Sequence, residues 1–293
     1  MNYFDLHCDT VSEALDKGLS LESSKSAVSL KNITDFEKYN QCFALFINDK
    51  FKGDEAEKRA QKLYSFYLSQ KEIFENQKNL KPILTIENCE CFGGKIENIE
   101  LWKSRKAVMA TLTWNGENAL GFGSSLQSGG LKPFGFKAVS EMEKSGIVVD
   151  VSHLNEDGFR DVLKKAKKPF VASHSNCYSE CAHSRNLKDY QIREIISCGG
   201  LIGICFYPLF LGKGNVYKLI YEHIKHILSL GGEDVISFGS DFDGAEMNKK
   251  LCKIEDVKKL YNFLLKKGIE KELLEKIFFK NAEKFFNNVL QGQ

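Results

Sequence analysis

Eight short apolar runs alternate with longer amphipathic stretches along this chain, and that alternation restricts the fold more than any other feature of the sequence. The runs are Tyr3–His7, Cys42–Ile47, Pro82–Ile86, Ala107–Thr113, Gly146–Ser152, Phe170–Ser173, Gly200–Cys205 and Val235–Gly239. Helical spacing of apolar residues runs through Asp54–Glu75, Pro133–Lys144, Glu156–Ala166, Leu187–Ser197, Val216–Leu230, Ile254–Lys267 and Lys271–Val289. Short runs separated by helical patterns argue for βα units, because parallel strands need a crossover between them. Eight units in one chain predict an α/β fold closed as a (β/α)8 barrel of the TIM type. A barrel of this kind takes about 250 residues for a single core. The 293-residue chain fits it, and the expected organisation is one catalytic domain over residues 1–293. Four prolines and no low-complexity tract leave no interdomain linker, and the glycine-rich stretch from Gly116 to Gly135 reads as a long loop.

Composition narrows the partners. Lys and Arg number 41 against 39 acidic residues, a net charge of +2, so there is no electrostatic case for nucleic acid or an anionic membrane. A small-molecule partner is expected instead. Hydrophobic residues at 43% and charged residues at 27% make the chain too apolar for disorder. The cysteines at 8, 42, 89, 91, 177, 181, 198, 205 and 252 form neither a paired CxxC motif nor a disulfide framework, which predicts reduced thiols in a cytosol. The start Met1-Asn2-Tyr3-Phe4-Asp5 has no basic leader or long apolar segment, and the end Asn288–Gln293 has no hydrophobic anchor signal. The expectation is a cytoplasmic protein without a membrane anchor.

Polar residues gather at the run ends. His7 and Asp9 end the first, Glu87 follows the third, Thr113 ends the fourth, His153 follows the fifth, His174 ends the sixth and Asp241 follows the eighth. In a barrel all these ends lie on the one face where active sites are built. Strand alternation would turn His7 and Asp9 to the same side and Cys8 to the other, toward the layer between barrel and helices. An imidazole and a carboxylate at a strand tip suit a borderline divalent cation such as zinc, although an exposed strand end has the same local pattern. Glu87 alone would equally serve at a helix N-terminus, and His153 and His174 as satisfied strand-end histidines. Three of only six histidines on one face shift the balance toward ligation.

Three histidines, one aspartate and one glutamate are what a two-metal site needs, with a bridging carboxylate holding the cations about 3.5–4 Å apart. Such a site lowers the pKa of a bridging water and polarises a carbonyl, which points to hydrolysis of an amide or ester. Asp241, in Phe238-Gly239-Ser240-Asp241-Phe242-Asp243-Gly244, is placed to shuttle a proton. A cap or turn role is its alternative, and that alternative suits Asp243 better. Arg185 lies in a loop after His174, where its guanidinium could hold a substrate carboxylate bidentately or remain solvated. His223 and His226, inside a helical pattern, read as surface or packing residues.

These motifs together resemble the membrane dipeptidase (renal dipeptidase) family of zinc peptidases, within the amidohydrolase-like, metallo-dependent hydrolase barrels. The resemblance runs nearly end to end, through Asp5-Leu6-His7-Cys8-Asp9, Gly130-Leu131-Lys132-Pro133-Phe134-Gly135, Val149-Asp150-Val151-Ser152-His153, Ser173-His174-Ser175, His183-Ser184-Arg185-Asn186 and Gly239–Gly244. It implies two Zn2+ per chain, one held by His7, Asp9 and Glu87, the second by Glu87, His153 and His174, with Glu87 as the bridge. It further implies that Arg185 binds the substrate's C-terminal carboxylate and that Asp241 assists proton transfer to the leaving amine. The family cleaves dipeptides, some members accepting a D residue at the C-terminal position or opening β-lactams, and the analogy suggests a homodimer. One departure stands out: where mammalian members carry a histidine that contacts the tetrahedral intermediate, this chain reads Thr113-Trp114-Asn115. Oxyanion stabilisation would then fall on the metals or on Asn115, with Trp114 and Asn115 in the substrate site.

The expectation is therefore a cytosolic binuclear zinc dipeptidase acting through a metal-bridging hydroxide, with Asp241 and Glu87 in the catalytic centre. The alternatives are a related metal hydrolase acting on lactams, lactones or cyclic amides, and a non-catalytic metal-binding barrel, for which Trp114 is the only sequence support.

Overall fold

The computed structural model describes residues 1–291, so the last two positions of the expected domain lie outside the described residues. Its strands are β1 (Asn2–Cys8), β2 (Lys38–Phe46), β3 (Leu80–Glu87), β4 (Met109–Thr111), β5 (Val148–Asp150), β6 (Val171–Ala172), β7 (Leu201–Ile204) and β8 (Ile236–Phe238). Each pairs in parallel with the next, and β8 closes on β1 through Phe238 and Asp5. The (β/α)8 barrel expected from the alternation is the observed fold. Helical segments follow every strand, including Thr10–Lys17 after β1 and Ile96–Ser104 after β3, which the periodicity did not flag. The first is only two turns long, too short for its periodicity to stand out, and the second buries only Ile99 and Trp102 and so carries a weak amphipathic pattern. The stretch expected as one helix over Asp54–Glu75 is two, Asp54–Ser69 and Lys71–Asn76, broken at Gln70.

The barrel is filled, not hollow. Phe4, Leu6, Cys42, Ile83, Met109, Val148, Val171 and Leu201 meet inside it and pack on Phe279, Ala282, Phe285 and Phe286 near the chain end. Phe286 stacks on Phe4 at 5.3 Å, so the C-terminal helix lies against the beginning of β1. A larger apolar core fills the shell between strands and helices and contains Cys8, as alternation predicted. Each fully buried Val, Leu, Ile, Phe or Met side chain among these contributes about 1.5–3 kcal/mol.

Two local departures position the site. The residues Asp5 to Cys8 on β1 face only Gln41 to Phe43 on β2, so β1 carries one extra residue, a β-bulge. Because of it Leu6 enters the barrel core while the next residue, His7, also turns inward. Asp9 lies past the strand, at the start of helix Thr10–Lys17, so strand alternation is not what brings it beside His7. The strands β4, β5 and β6 are also shorter than their apolar runs. Beyond β5 the Ser152 and Ser173 amides donate to Asp150 Oδ1, at 3.0 and 2.9 Å, instead of continuing the ladder. Among the described residues no helix is long and apolar enough to cross a membrane.

Candidate metal centre and active site

Glu87, the last residue of β3, stands between the histidines. Its Oε1 lies 2.9 Å from His153 Nε2 and 3.8 Å from His174 Nε2, while Oε2 lies 3.5 Å from His7 Nε2. His7 Nε2 is also 3.4 Å from Asp9 Oδ2 and 3.8 Å from Asp241 Oδ1. The His7 and His174 rings stack at 4.0 Å, and His153 and His174 lie 4.9 Å apart. Residues from the first, third, fifth, sixth and eighth strand ends thus converge, as the barrel reading of the sequence required.

The backbone makes room for this. His153, Asp241 and Asp243 adopt left-handed φ of 67°, 63° and 66°, and Asn88, next to Glu87, has φ 70°. Non-glycine residues at such φ cost of order 1 kcal/mol or more each, and they cluster at functional sites. Asp243 does not join the centre: its carboxylate accepts from Thr10 Oγ1 and the Ala27 amide at 2.7 Å, which ties down a loop. That is the turn role the sequence assigned to it.

The charge states suit a cation. Burial, together with the His7 and Arg185 charges, holds His174 well below the usual imidazole range, and burial and Arg185 bring His153 down to about 4. Burial acts to raise Glu87, but His7 and His153 hold its carboxyl well below the ordinary value. Burial acts to lower His7, yet the Glu87 and Asp9 carboxylates keep it well above its ordinary value, as a proton standing where a metal would. Burial pushes Asp241 up to about 8, with the Asp9 and Glu87 charges adding to the rise against His7. The neutral imidazoles of His153 and His174 and the ionised Glu87 are in the ligand form that metals require, while His7 would have to give up its proton to a cation.

The donor set fits a metal on a second, independent ground. His7 Nε2, His174 Nε2 and Asp9 Oδ1 are buried with no hydrogen-bond partner, a costly condition unless something else binds them. Ligand atoms of His7, Asp9 and Glu87, and of Glu87, His153 and His174, lie within 4.8 Å of one another in two groups sharing Glu87. A third such group joins His7, His174 and Asp241.

A cavity of about 410 Å³ opens over the centre, lined by Asp9, Glu87, His153 and Asp241, by Trp114 and Asn115, and by Phe46, Tyr207 and Phe210. The last three aromatics were not singled out in the sequence, where their spacing looked like core. Trp114 packs edge-on to Phe46 at 5.1 Å. Asn115 Oδ1 is 2.8 Å from His153 Nδ1, so this amide already supports a histidine of the centre. Arg185 is buried beside the site, its Nη2 3.3 Å from the His174 carbonyl, its guanidinium 5.2 Å from the Phe210 ring and its Nε unpartnered. It is not the solvated loop arginine of the alternative. His223 is fully buried, and His226 pairs with Asp189 at 2.8 Å, neither near the centre. A larger cavity of about 510 Å³ beside Ile147, Val148 and Phe285 carries none of these groups.

Comparison with known proteins gives the chain's family and agrees with its fold. The model of the family "Membrane dipeptidase (Peptidase family M19)" matches residues 1–292. The chain is 30% identical over 227 residues to an "uncharacterized protein in pqqA 5′region" of Klebsiella pneumoniae, covering 73% of this chain and 84% of that one. It is also 30% identical over 207 residues to an uncharacterized dipeptidase of Schizosaccharomyces pombe, covering 68% of this chain and spanning about half, 49%, of that relative. Among solved structures, a metallo peptidase from Rhodobacter sphaeroides liganded with a phosphinate mimic of the dipeptide L-Ala-D-Ala shares the fold. Its TM-score is 0.89 at 21% identity, with 98% of this chain and 99% of that chain covered. With the family model matched over almost its whole length, the chain belongs to the membrane dipeptidase family, the metallopeptidase family M19.

Proposed function

We propose that this protein hydrolyses the peptide bond of dipeptides, including those with a D residue at the C-terminal position, at a pair of zinc ions. The observation that carries the proposal is Glu87, whose two carboxylate oxygens face His153 and His174 on one side and His7 on the other, with two of those imidazole nitrogens otherwise unpartnered. In this reading His7, Asp9 and Glu87 hold one cation, and Glu87, His153 and His174 hold the other. When bound, such a pair supplies Lewis acidity for the carbonyl and a water of lowered pKa. Arg185 binds the substrate's free carboxylate and so sets which carbonyl lies over Glu87. Asp241 takes the proton released as the C–O bond forms and returns it to the amine as the C–N bond breaks. Trp114 and Asn115 line the substrate cavity.

The Rhodobacter relative's ligand, a mimic of a dipeptide ending in D-Ala, supports the stereochemical part of the proposal. Nine cysteines without a disulfide support a reducing, cytoplasmic setting. The homodimer implied by the family resemblance is checked by sizing chromatography. The decisive experiment measures zinc content and then hydrolysis of a dipeptide panel with L and D residues at the second position. Two zinc ions per chain and chelator-sensitive cleavage are expected. A folded, zinc-loaded protein that cleaves lactams or lactones but no dipeptide would sink the proposal.

A further inference from the structure

We infer that Asp150 and Ser173 set the cation affinity of the centre by fixing the ring tautomer of His174, as positioning residues that touch neither substrate nor metal. The inference rests on the proposed two-cation reading and adds to it a hydrogen-bond relay running through the barrel wall.

His174 is fully buried, and its two ring nitrogens face different surroundings. Nε2 looks toward Glu87 and has no hydrogen-bond partner, whereas Nδ1 lies 2.8 Å from Ser173 Oγ. The same Ser173 hydroxyl lies 2.6 Å from Asp150 Oδ2. A serine hydroxyl has one proton to give and lone pairs to accept with, so its direction decides which histidine nitrogen carries hydrogen.

Asp150 decides that direction. Its Oδ1 accepts from the main-chain amides of Ser152 and Ser173, and its Oδ2 accepts from Thr111 Oγ1 at 2.6 Å as well as from Ser173. Four donors surround the carboxyl, so the Ser173 proton points to Asp150 and its free lone pair meets His174 Nδ1. Nδ1 must then be the protonated nitrogen, which leaves the lone pair on Nε2, facing the centre. A ligating histidine oriented through its other ring nitrogen by an acidic group is a more basic ligand. His153 is held differently, by the neutral carbonyl of Asn115, whose oxygen also lies 3.2 Å from Ser124 Oγ.

The test uses two substitutions in the full chain. In Ser173→Ala the relay is cut and the tautomer is no longer dictated. In Asp150→Asn the two main-chain amides keep the amide oxygen in the Oδ1 position, so the NH2 faces Ser173. The serine proton then turns toward Nδ1, and His174 takes the Nε2–H form, which cannot ligate. Nitrogen-15 NMR of histidine-labelled, zinc-free protein reads the tautomer, and chelator competition reads zinc affinity.

The expected results are an Nδ1–H tautomer in the parent, an Nε2–H tautomer in Asp150→Asn, and an affinity for one of the two zinc ions about 10–100-fold weaker in both variants. An unchanged tautomer in the folded variants overturns the relay, even if zinc binding falls. Zinc affinity in the variants equal to that of a parent that binds two ions overturns its role in affinity. If Asp150→Asn does not fold, Ser173→Ala decides alone. A parent that takes up no zinc defeats the two-cation reading, while the zinc-free tautomer measurement still judges the relay.

Discussion

Gly244 and Asp9 are packed so closely that a methyl group on Gly244 would collide with the Asp9 carboxylate, and then with Asp241. Both carboxylates belong to the centre, so Gly244 acts as a spacer that no other residue can replace without moving them. Gly244→Ala is expected to fold, since what it meets are side-chain ends and not backbone. It should lower kcat/KM by about 100-fold, the scale of an ångström-sized misplacement at a reacting centre. Steady-state kinetics beside a thermal melt check this, and a variant as active as the parent would show that the carboxylates tolerate displacement.

Asp241→Asn separates proton transfer from metal binding. With Asp241 as proton carrier, zinc content stays at the parent value while kcat falls by about 10²–10⁴-fold. A parallel loss of zinc would reassign Asp241 as a ligand, the role that its grouping with His7 and His174 also permits.

Arg185→Ala should raise KM by about 10–100-fold for dipeptides with a free C-terminus, matching the loss of a charge-assisted pair of hydrogen bonds. C-terminally amidated substrates provide the contrast, since they offer no carboxylate and should be little affected. Equal penalties on both substrates would mean that Arg185 serves packing on Phe210 alone.

Stability should carry an acid limb from His223, which is not among the clustered ligand groups. This buried ring accepts from the Cys177 amide at 3.2 Å, and burial brings its pKa down to about 4. The unfolded chain takes up the proton near pH 6.5, so between the two values it binds more protons than the folded chain. The contribution is therefore complete above about pH 6.5 and is lost as pH falls through 4, at most about 3 kcal/mol. Urea unfolding across this range should show a shallower decline in His223→Gln. An identical slope would locate the acid sensitivity elsewhere.

The alternation of short apolar runs with helical stretches was enough to read the barrel, because parallel strands need crossovers and eight of them close. It also brought residues as distant as His7 and Asp241 to one face. Less legible was how they arrive there. Strand alternation cannot place Leu6 and His7 on one side together, and only the bulge does so. Nor does residue type show that Asn115 would support His153, or that the Asp150 carboxyl would end the β5 ladder. Such contacts depend on which loops meet, and spacing along the chain does not encode that. Phe46, Tyr207 and Phe210 were hidden because an aromatic at a strand end or in the short helix beyond one looks the same in sequence whether it fills a core or lines a cavity.

The packing of Phe4 and Leu6 against Phe279, Phe285 and Phe286 has a kinetic consequence. Among the described residues, the barrel interior beneath the centre is packed with these side chains, so access runs from the face where the strands end. On the dipeptidase reading, a dipeptide enters and two amino acids depart over that one face, and each product must clear it before the next substrate can descend. Free amino acids should then act as competitive inhibitors, and turnover should slow as they accumulate.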